Sequence, residues 1–384
     1  MARLNRALRI ASGLLAGAAA VVTAQNATQA VPQNATQADG LHSLMVKAGK
    51  LYFGTAADVN SFNDTQYMAI MSNKSDFGMI TADNSFTWVG IEPTQGQFSY
   101  TNADQVAETA TSNGQMMRCH ALAWHKALPS WAHISNVVTH FKGLCYAWDV
   151  VNEAVDDYHA PGYRESVFYK TIGRAYIALA FSAAAAADEN AKLYYNDYNL
   201  ENSPEKADAV VKIVTDVQAL GIKIDGVGLE GHQVVGATPN RTSLADTLRK
   251  FAALGLEVAW TEIEIRHTQL PANESALAQQ ARDYAAMVGA CLDVRECVGV
   301  TVWQFTDRYN WVPQSFQTEG DACLWSKDYQ RRPAYDAIVE LLRATIRNGT
   351  SPAKTPPARP TPAAKSAAGR LSNTSEELVR LMAE

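Results

Sequence analysis

Between Leu41 and Ile346, short apolar runs alternate with segments of helical periodicity, and this alternation constrains the fold more than any other feature of the chain. The β-like runs are Leu51–Thr55, Phe86–Val89, Met116–Ala123, Cys145–Val151, Lys192–Tyr195, Ile224–Leu229, Leu256–Ile263 and Val298–Phe305. Among the helical segments, Val210, Ile213, Val214 and Val217 fall at i, i+3, i+4 and i+7, and Tyr335, Ile338, Val339 and Leu342 repeat the spacing. Strands that are apolar on both faces and separated by helices imply a parallel sheet covered by helices. Eight such units, the last also followed by a helix, predict an α/β fold with a single closed (β/α)8 TIM barrel over residues 42–346. An open doubly wound sheet stays possible on pattern alone. It has less to recommend it, because no G-x-G-x-x-G follows an early strand and no phosphate loop of the G-x-x-x-x-G-K type is present.

The two ends read differently. Residues 1–24 carry Arg3, Arg6 and Arg9, then an Ala- and Gly-rich apolar run from Ile10 to Val22, then Val22-Thr23-Ala24, which matches a small-residue cleavage site. The run is shorter than the roughly 20 residues a membrane span needs, so a secretory signal is expected and a membrane anchor is not. Residues 25–41 form a polar leader that nearly repeats QNATQA and holds glycan acceptors at Asn26 and Asn34. Further acceptor tripeptides start at Asn63, Asn73, Asn240, Asn273, Asn348 and Asn373, which together with a signal favour a eukaryotic secretory route. Residues 347–384, rich in Pro, Ala, Thr and Lys, are expected to be a flexible tail, with at most a short helix over Ser375–Met382. The expected product is an extracellular monomer.

A chain with 33 Lys plus Arg against 39 Asp plus Glu has a net charge of −6 and no basic stripe, which argues against nucleic acid as a partner. No second apolar run of spanning length argues for a membrane. His120 and His125 lie five apart without an H-E-x-x-H, and no Cys pair has finger spacing, so neither a metal nor another cofactor is expected.

In a barrel of this kind the active site lies at the carboxyl ends of the strands. Polar residues cluster at those ends: His120, Trp124 and His125; Asp149, Asn152 and Glu153; Asn196, Asp197, Tyr198 and Asn199; Glu230 and His232; Glu262 and Glu264; then Trp303, Asp307 and Trp311. A carboxylate buried at the end of an apolar strand costs several kcal/mol unless it is paired or hydrogen-bonded, so such positions are candidates for function. Glu153 and Glu262, on strands four and seven, form the prime pair across the barrel mouth. Two carboxyls flanking a Trp-lined cleft suit glycoside chemistry, one protonating a leaving oxygen and the other attacking or activating water. For either Glu alone, service as a mere ion-pair partner is an equal reading.

The strings YFGTAAD, RCHALAWHKALPSW, WDVVNEA, YYNDYNLE, VAWTEIEIR and VTVWQFTDRYNWVP, in this order over about Leu44 to Ile346, resemble glycoside hydrolase family 10, the endo-β-1,4-xylanases. The resemblance implies that Glu153 is the general acid/base and Glu262 the nucleophile of a retaining enzyme, with carboxyls about 5–5.5 Å apart. It further implies that His232 hydrogen-bonds the nucleophile, that Asn152 donates to the sugar 2-hydroxyl, and that Asn84, His120, Trp124, Asn196, Tyr198, Trp303 and Trp311 line sugar subsites. The expected substrate is xylan or a related plant cell-wall glycan.

The chain departs from that family at several points. Asp83 stands where a Glu is usual and Thr87 where a Lys is usual, both on the glycone side, so Asp83 is a binding residue of altered reach. Ala127 and Glu230 replace Gln, and Glu264 replaces Asp. A third carboxylate at Glu230 is expected to raise the proton affinity of its neighbours and move the pH optimum upward. The altered grip leaves two alternatives to xylan cleavage: hydrolysis of a decorated small glycoside such as a tomatine-type saponin, and a glycan- or receptor-binding barrel with reduced catalysis. Of five cysteines, Cys291 and Cys297 match a disulfide typical of the family. Cys119 reads as a small buried thiol, a bridge from it to Cys145 looks too long because it would join the end of one strand to the start of the next, and Cys323 is left free.

Overall fold

Eight parallel strands follow one another around a closed ring: β1 (Tyr52–Ala57), β2 (Met79–Ala82), β3 (Met116–Trp124), β4 (Cys145–Asn152), β5 (Lys192–Asp197), β6 (Gly226–Leu229), β7 (Glu257–Arg266) and β8 (Cys297–Val302). The structure, a computed structural model, describes residues 39–125, 131–157 and 162–349. The signal, the leader up to residue 38, Asn26, Asn34, Ala127, Asn373 and the tail beyond residue 349 lie outside the described residues, whereas Leu41, at the end of the expected leader, opens the helix Leu41–Lys47. Closure rests on two pairings, β1 with β8 (Tyr52 opposite Gly299, Thr55 opposite Val302) and β6 with β7 (Gly226 opposite Glu257, Leu229 opposite Trp260). A parallel ring has no free edge, and its strands are buried on both faces, which is why they read as continuous apolar runs. Among the described residues no helix is long and apolar enough to cross a membrane.

The outer helices turn their apolar stripes to the barrel. Val210, Ile213, Val214 and Val217 are buried on the helix Pro204–Ala219, and Tyr335, Ile338, Val339 and Leu342 on Pro333–Arg347. The helix Arg241–Ala252 buries Leu244, Ala245, Leu248 and Phe251 and leaves its charges outward, its start capped by the Asn240 side chain on the amides of Thr242 and Ser243. Asn63, Asn240, Asn273 and Asn348 are exposed, whereas the Asn73 amide is engaged with Asp76 at 2.9 Å.

Two expectations are corrected. The second strand is Met79–Ala82, not Phe86–Val89, which forms a turn leading into the short helix Trp88–Ile91. Phe86 is apolar because it packs at 4.4 Å from the Phe141 ring and 6.0 Å from that of Trp148, and Asp58 shapes the turn by accepting from the amides of Asn84 and Ser85 and the Ser85 hydroxyl. A buried loop therefore carries the composition of a strand. Second, Cys119 and Cys145 are joined in a disulfide, with Cα atoms 5.9 Å apart. Strand β3 starts at Met116, so Cys119 lies near its beginning, and Met117 sits opposite Cys145. Residues two apart on a strand share a face, which makes the bridge a short diagonal between neighbouring strands. Cys291 and Cys297 form the other disulfide, Cα to Cα 5.3 Å, and Cys323 is a buried free thiol.

Candidate active site

Parallel register brings the polar strand ends to one level. Asn152 closes β4 opposite Trp124 of β3 and Asn196 of β5, and Ile263 of β7 lies opposite Val302 of β8. Glu153 follows directly in a left-handed conformation, φ 54°, unusual outside glycine. That conformation costs on the order of 1 kcal/mol and is held from both sides. The Glu153 amide donates to the Asn196 carbonyl at 2.9 Å, and Arg164 Nε donates to the Glu153 carbonyl at 2.8 Å.

Asn196 ties the two prime carboxylates together. Its Nδ2 donates to Glu262 Oε1 and to Asn152 Oδ1, each at 2.9 Å, while its own Oδ1 accepts from the Thr261 hydroxyl at 2.7 Å. Asn152 Nδ2 in turn lies 3.3 Å from Glu153 Oε1. Two amides thus bridge Glu153 to Glu262, and the Thr261 bond fixes which way the Asn196 amide faces.

The two carboxyls have unlike surroundings. Burial, first of all, and then the negative charges of Asp197 and Glu262 push the Glu153 carboxyl above its ordinary range, partly opposed by a hydrogen bond from the Trp124 indole. His125 Nδ1 lies 3.5 Å from Glu153 Oε2. Asp197 beside it is itself raised by burial, against the pull of Lys206, whose Nζ lies 2.9 Å from Asp197 Oδ1 and 2.8 Å from Asp157. Glu262 is 5% exposed and ringed by donors: Asn196 on Oε1, His120 Nδ1 at 3.7 Å from the same oxygen, and His232 Nε2 at 3.3 Å from Oε2. Such a pair, one carboxyl held toward its neutral form and the other placed to accept, is suited to acid and nucleophile roles.

The proton affinity of both histidines is raised by the same balance. Burial lowers the proton affinity of His120, but its hydrogen bond to Asp149 and the Glu262 charge outweigh that and leave it raised. Asp149 is backed by Arg118, wholly buried inside the barrel, which counters the burial of the Asp149 carboxyl and holds it below its ordinary range. Burial likewise lowers His232, while the Glu264 charge and hydrogen bonds to Glu230, Glu262 and Glu264 hold it well above its usual value. Its place comes from a three-residue strand, His232–Val234, laid against the end of β7 with His232 opposite Glu264. Gly231, at φ +79°, makes that turn, and a Cβ there would meet Met287 at 2.9 Å.

Of the other residues singled out in the sequence, Trp303 meets His120 edge-on at 5.3 Å, Trp311 meets His232 at 5.6 Å, and Trp124 lies 6.2 Å from His120. Asp83 follows β2 and is pushed up to about 6 by burial and by Asp58. Asn84 is exposed on the turn at the rim. Thr87 is buried and donates back to the Asn84 carbonyl at 2.7 Å, bracing the turn rather than reaching outward. Tyr198 accepts from Arg164 Nη2 at 2.9 Å, with Lys206 Nζ 3.5 Å from its ring centroid. Sequence reasoning passed over Arg118, Arg164 and Lys206, which support the site from behind: Arg118 through Asp149 and His120, Arg164 on the Glu153 carbonyl, and Lys206 through Asp197. Asp149 had a signal, since it lies inside an otherwise apolar strand. Among the described residues, the one group of His and carboxylate atoms gathered within 4.8 Å is Glu230, His232 and Glu262.

Comparison with known proteins agrees with this geometry. The sequence profile described as "Glycosyl hydrolase family 10" matches residues 40–341. The chain is 49% identical over 338 residues to endo-1,4-beta-xylanase 5 of Pyricularia oryzae, covering 84% of this chain and 82% of that one. It is 48% identical over 319 residues to endo-1,4-beta-xylanase 1 of Humicola insolens, covering 79% and 74%. The crystal structure of a GH10 xylanase from Bispora sp. MEY-1 with xylobiose superposes with a TM-score of 0.76 at 37% identity, covering 79% of this chain and 99% of the other. Xylanase 10B from Thermotoga petrophila, in complex with xylobiose, superposes with the same TM-score at 35% identity, covering 81% and 99%.

Proposed function

The chain belongs to glycosyl hydrolase family 10 and is an endo-acting hydrolase of β-1,4-xylan, and we propose that Glu153 and Glu262 perform that hydrolysis with retention of configuration. The observation that carries this reading is the unlike pair: Glu153, pushed up by burial and two neighbouring carboxylates, and Glu262, ringed by donors, bridged by Asn152 and Asn196. In the first step Glu153 gives its proton to the glycosidic oxygen as Glu262 attacks the anomeric carbon, forming a glycosyl ester. The glycosidic C–O bond breaks and the aglycone leaves; in the second step Glu153, now ionised, takes a proton from water, which attacks the anomeric carbon of the ester, breaks its bond to Glu262 and frees that carboxylate. Asn152 donates to the 2-hydroxyl as positive charge grows at the anomeric carbon, and Trp124, Trp303 and Trp311 stack on sugar rings. The relatives compared are xylanases, and nothing among the described residues of the site favours a small decorated glycoside or a barrel that only binds.

The protein acts outside the cell, as the signal-like residues 1–24 and the kinship with fungal xylanases suggest. The test is proton NMR of xylo-oligosaccharide hydrolysis. The β-anomer forms first if the mechanism is double displacement, and initial release of the α-anomer would refute it. Reducing-sugar release from xylan must also collapse in both Glu153→Ala and Glu262→Ala with the fold retained.

A further inference from the structure

The flank of the cleft beside Glu262 holds three carboxylates around one imidazole. His232 Nε2 lies 3.2 Å from Glu230 Oε2 and 3.3 Å from Glu262 Oε2. The other oxygens of those carboxylates, both Oε1, face Asn196 Nδ2 at 3.3 Å and 2.9 Å. The amide therefore holds Glu262 by Oε1, lies at the longer distance from Glu230 Oε1, and leaves the two Oε2 atoms turned toward the same ring nitrogen. Behind the ring, Nδ1 lies 3.1 Å from Glu264 Oε1, and Glu264 Oε2 accepts from Asn310 Nδ2 at 2.7 Å. With both carboxylates ionised a single Nε2–H cannot serve them both, and burial with the Glu262 and Glu153 charges pushes the Glu230 carboxyl well above its ordinary range.

We infer that Glu230 Oε2, Glu262 Oε2 and His232 Nε2 form a binding site for a zinc-type divalent cation at the edge of the catalytic cleft. The donor set, one imidazole nitrogen and two carboxylate oxygens, suits Zn2+, with a fourth position left for water. A tetrahedral centre with bonds of about 2.0–2.1 Å has edges of roughly 3.3–3.4 Å, close to the two nitrogen–oxygen distances here. Glu264 supplies what a ligating histidine needs on its other nitrogen, a carboxylate that fixes tautomer and ring orientation, and Asn310 holds Glu264. Asn196 does the same for Glu262. His232 is 19% exposed in its side chain, so a cation can arrive from the cleft. On binding, the Nε2 proton and the proton that Glu230 carries leave to solvent, the Nδ1 proton stays toward Glu264, and the cation balances the two carboxylate charges. Occupancy would also take the Glu262 oxygen out of reaction. That consequence rests on the nucleophile role proposed above, whereas the binding itself does not.

Calorimetric titration of chelator-treated full-length protein with ZnCl2 at pH 7 tests the site, with CaCl2 as control. Saturable binding of one Zn2+ per chain is expected, with proton release read from the dependence of the heat on buffer and no comparable heat from Ca2+. Glu230→Gln, which keeps size and shape, should weaken Zn2+ at least tenfold, and His232→Asn likewise, each with an unchanged circular dichroism spectrum. Absence of saturable heat into the millimolar range, or undiminished affinity in the folded Glu230→Gln protein, would overturn the inference. Zn2+ binding lost in both variants, together with xylan hydrolysis untouched by saturating Zn2+, would uphold the site and count against Glu262 as nucleophile.

Discussion

Replacing Asp83 by Asn probes the end of β2 through stability. Burial and the neighbouring Asp58, with a smaller push from Glu262, raise this carboxyl to about 6, while Gln304 and His120 pull the other way. The gap from the ordinary 3.8, at about 1.4 kcal/mol for each tenfold change in proton affinity, is worth about 3 kcal/mol. The sign follows from linkage. Below pH 3.8 the folded and unfolded chains both keep the proton and the contribution is fully present. It is lost as the pH rises through 6 and the folded form must ionise. Asn does not titrate, so Asp83→Asn should gain on the wild type by about 2.4 kcal/mol between pH 4 and pH 7, the first few tenths being already lost at pH 4. At roughly 2 cal/mol/K per residue, a barrel of this size converts that into about 4 °C of melting temperature. Paired thermal melts at the two pH values measure it, and any pH-independent cost of the substitution cancels in the difference. A melting-temperature difference that stays constant with pH, or moves in favour of the wild type at pH 7, would show that Asp83 carries no buried charge and that the account of its surroundings is wrong.

Glu153→Ala should lower kcat on xylan by about 10²–10⁴. It should cost far less on an aryl xyloside whose phenolate leaves unprotonated, and it should abolish the alkaline limb of the pH profile, since Glu153 acts protonated and its activity is lost as the pH rises through its elevated value; equal losses on both substrates would refute the acid role. Changing both Cys119 and Cys145 to Ser opens a cross-link spanning 26 residues. The loop-entropy relation puts the loss at about 3.5 kcal/mol, or about 5 °C in melting temperature, with kcat preserved well below the transition; an unshifted melt would argue that the bridge is not formed. Lys206→Met strands Asp197 beside Glu153 and should cost about 3–5 kcal/mol at neutral pH, less when combined with Asp197→Asn, as a double-mutant cycle by chemical denaturation would show.

Much of this protein is legible along the chain. The alternation of apolar runs and helical stripes implies helices packed around parallel strands, and motifs such as WDVVNEA and VAWTEIEIR mark Glu153 and Glu262 as strand-end carboxylates. Period and burial are local properties, so a linear pattern carries them. Where local composition misleads, as at Phe86, the residue is apolar for a partner far along the chain. The same limit hid the Cys119–Cys145 bridge, because which residue of β3 stands beside which residue of β4 depends on where each strand starts and how the bulge between Met117 and Arg118 shifts the register. The Asn196 tie between two carboxylates, the Arg118–Asp149 support under His120, the left-handed turn at Glu153 and the crowding of Glu230, Glu262 and Glu264 around His232 are likewise tertiary facts. Each depends on separations of a few ångströms between strands dozens of residues apart, and those separations are set by the closing of the ring rather than by any segment within it.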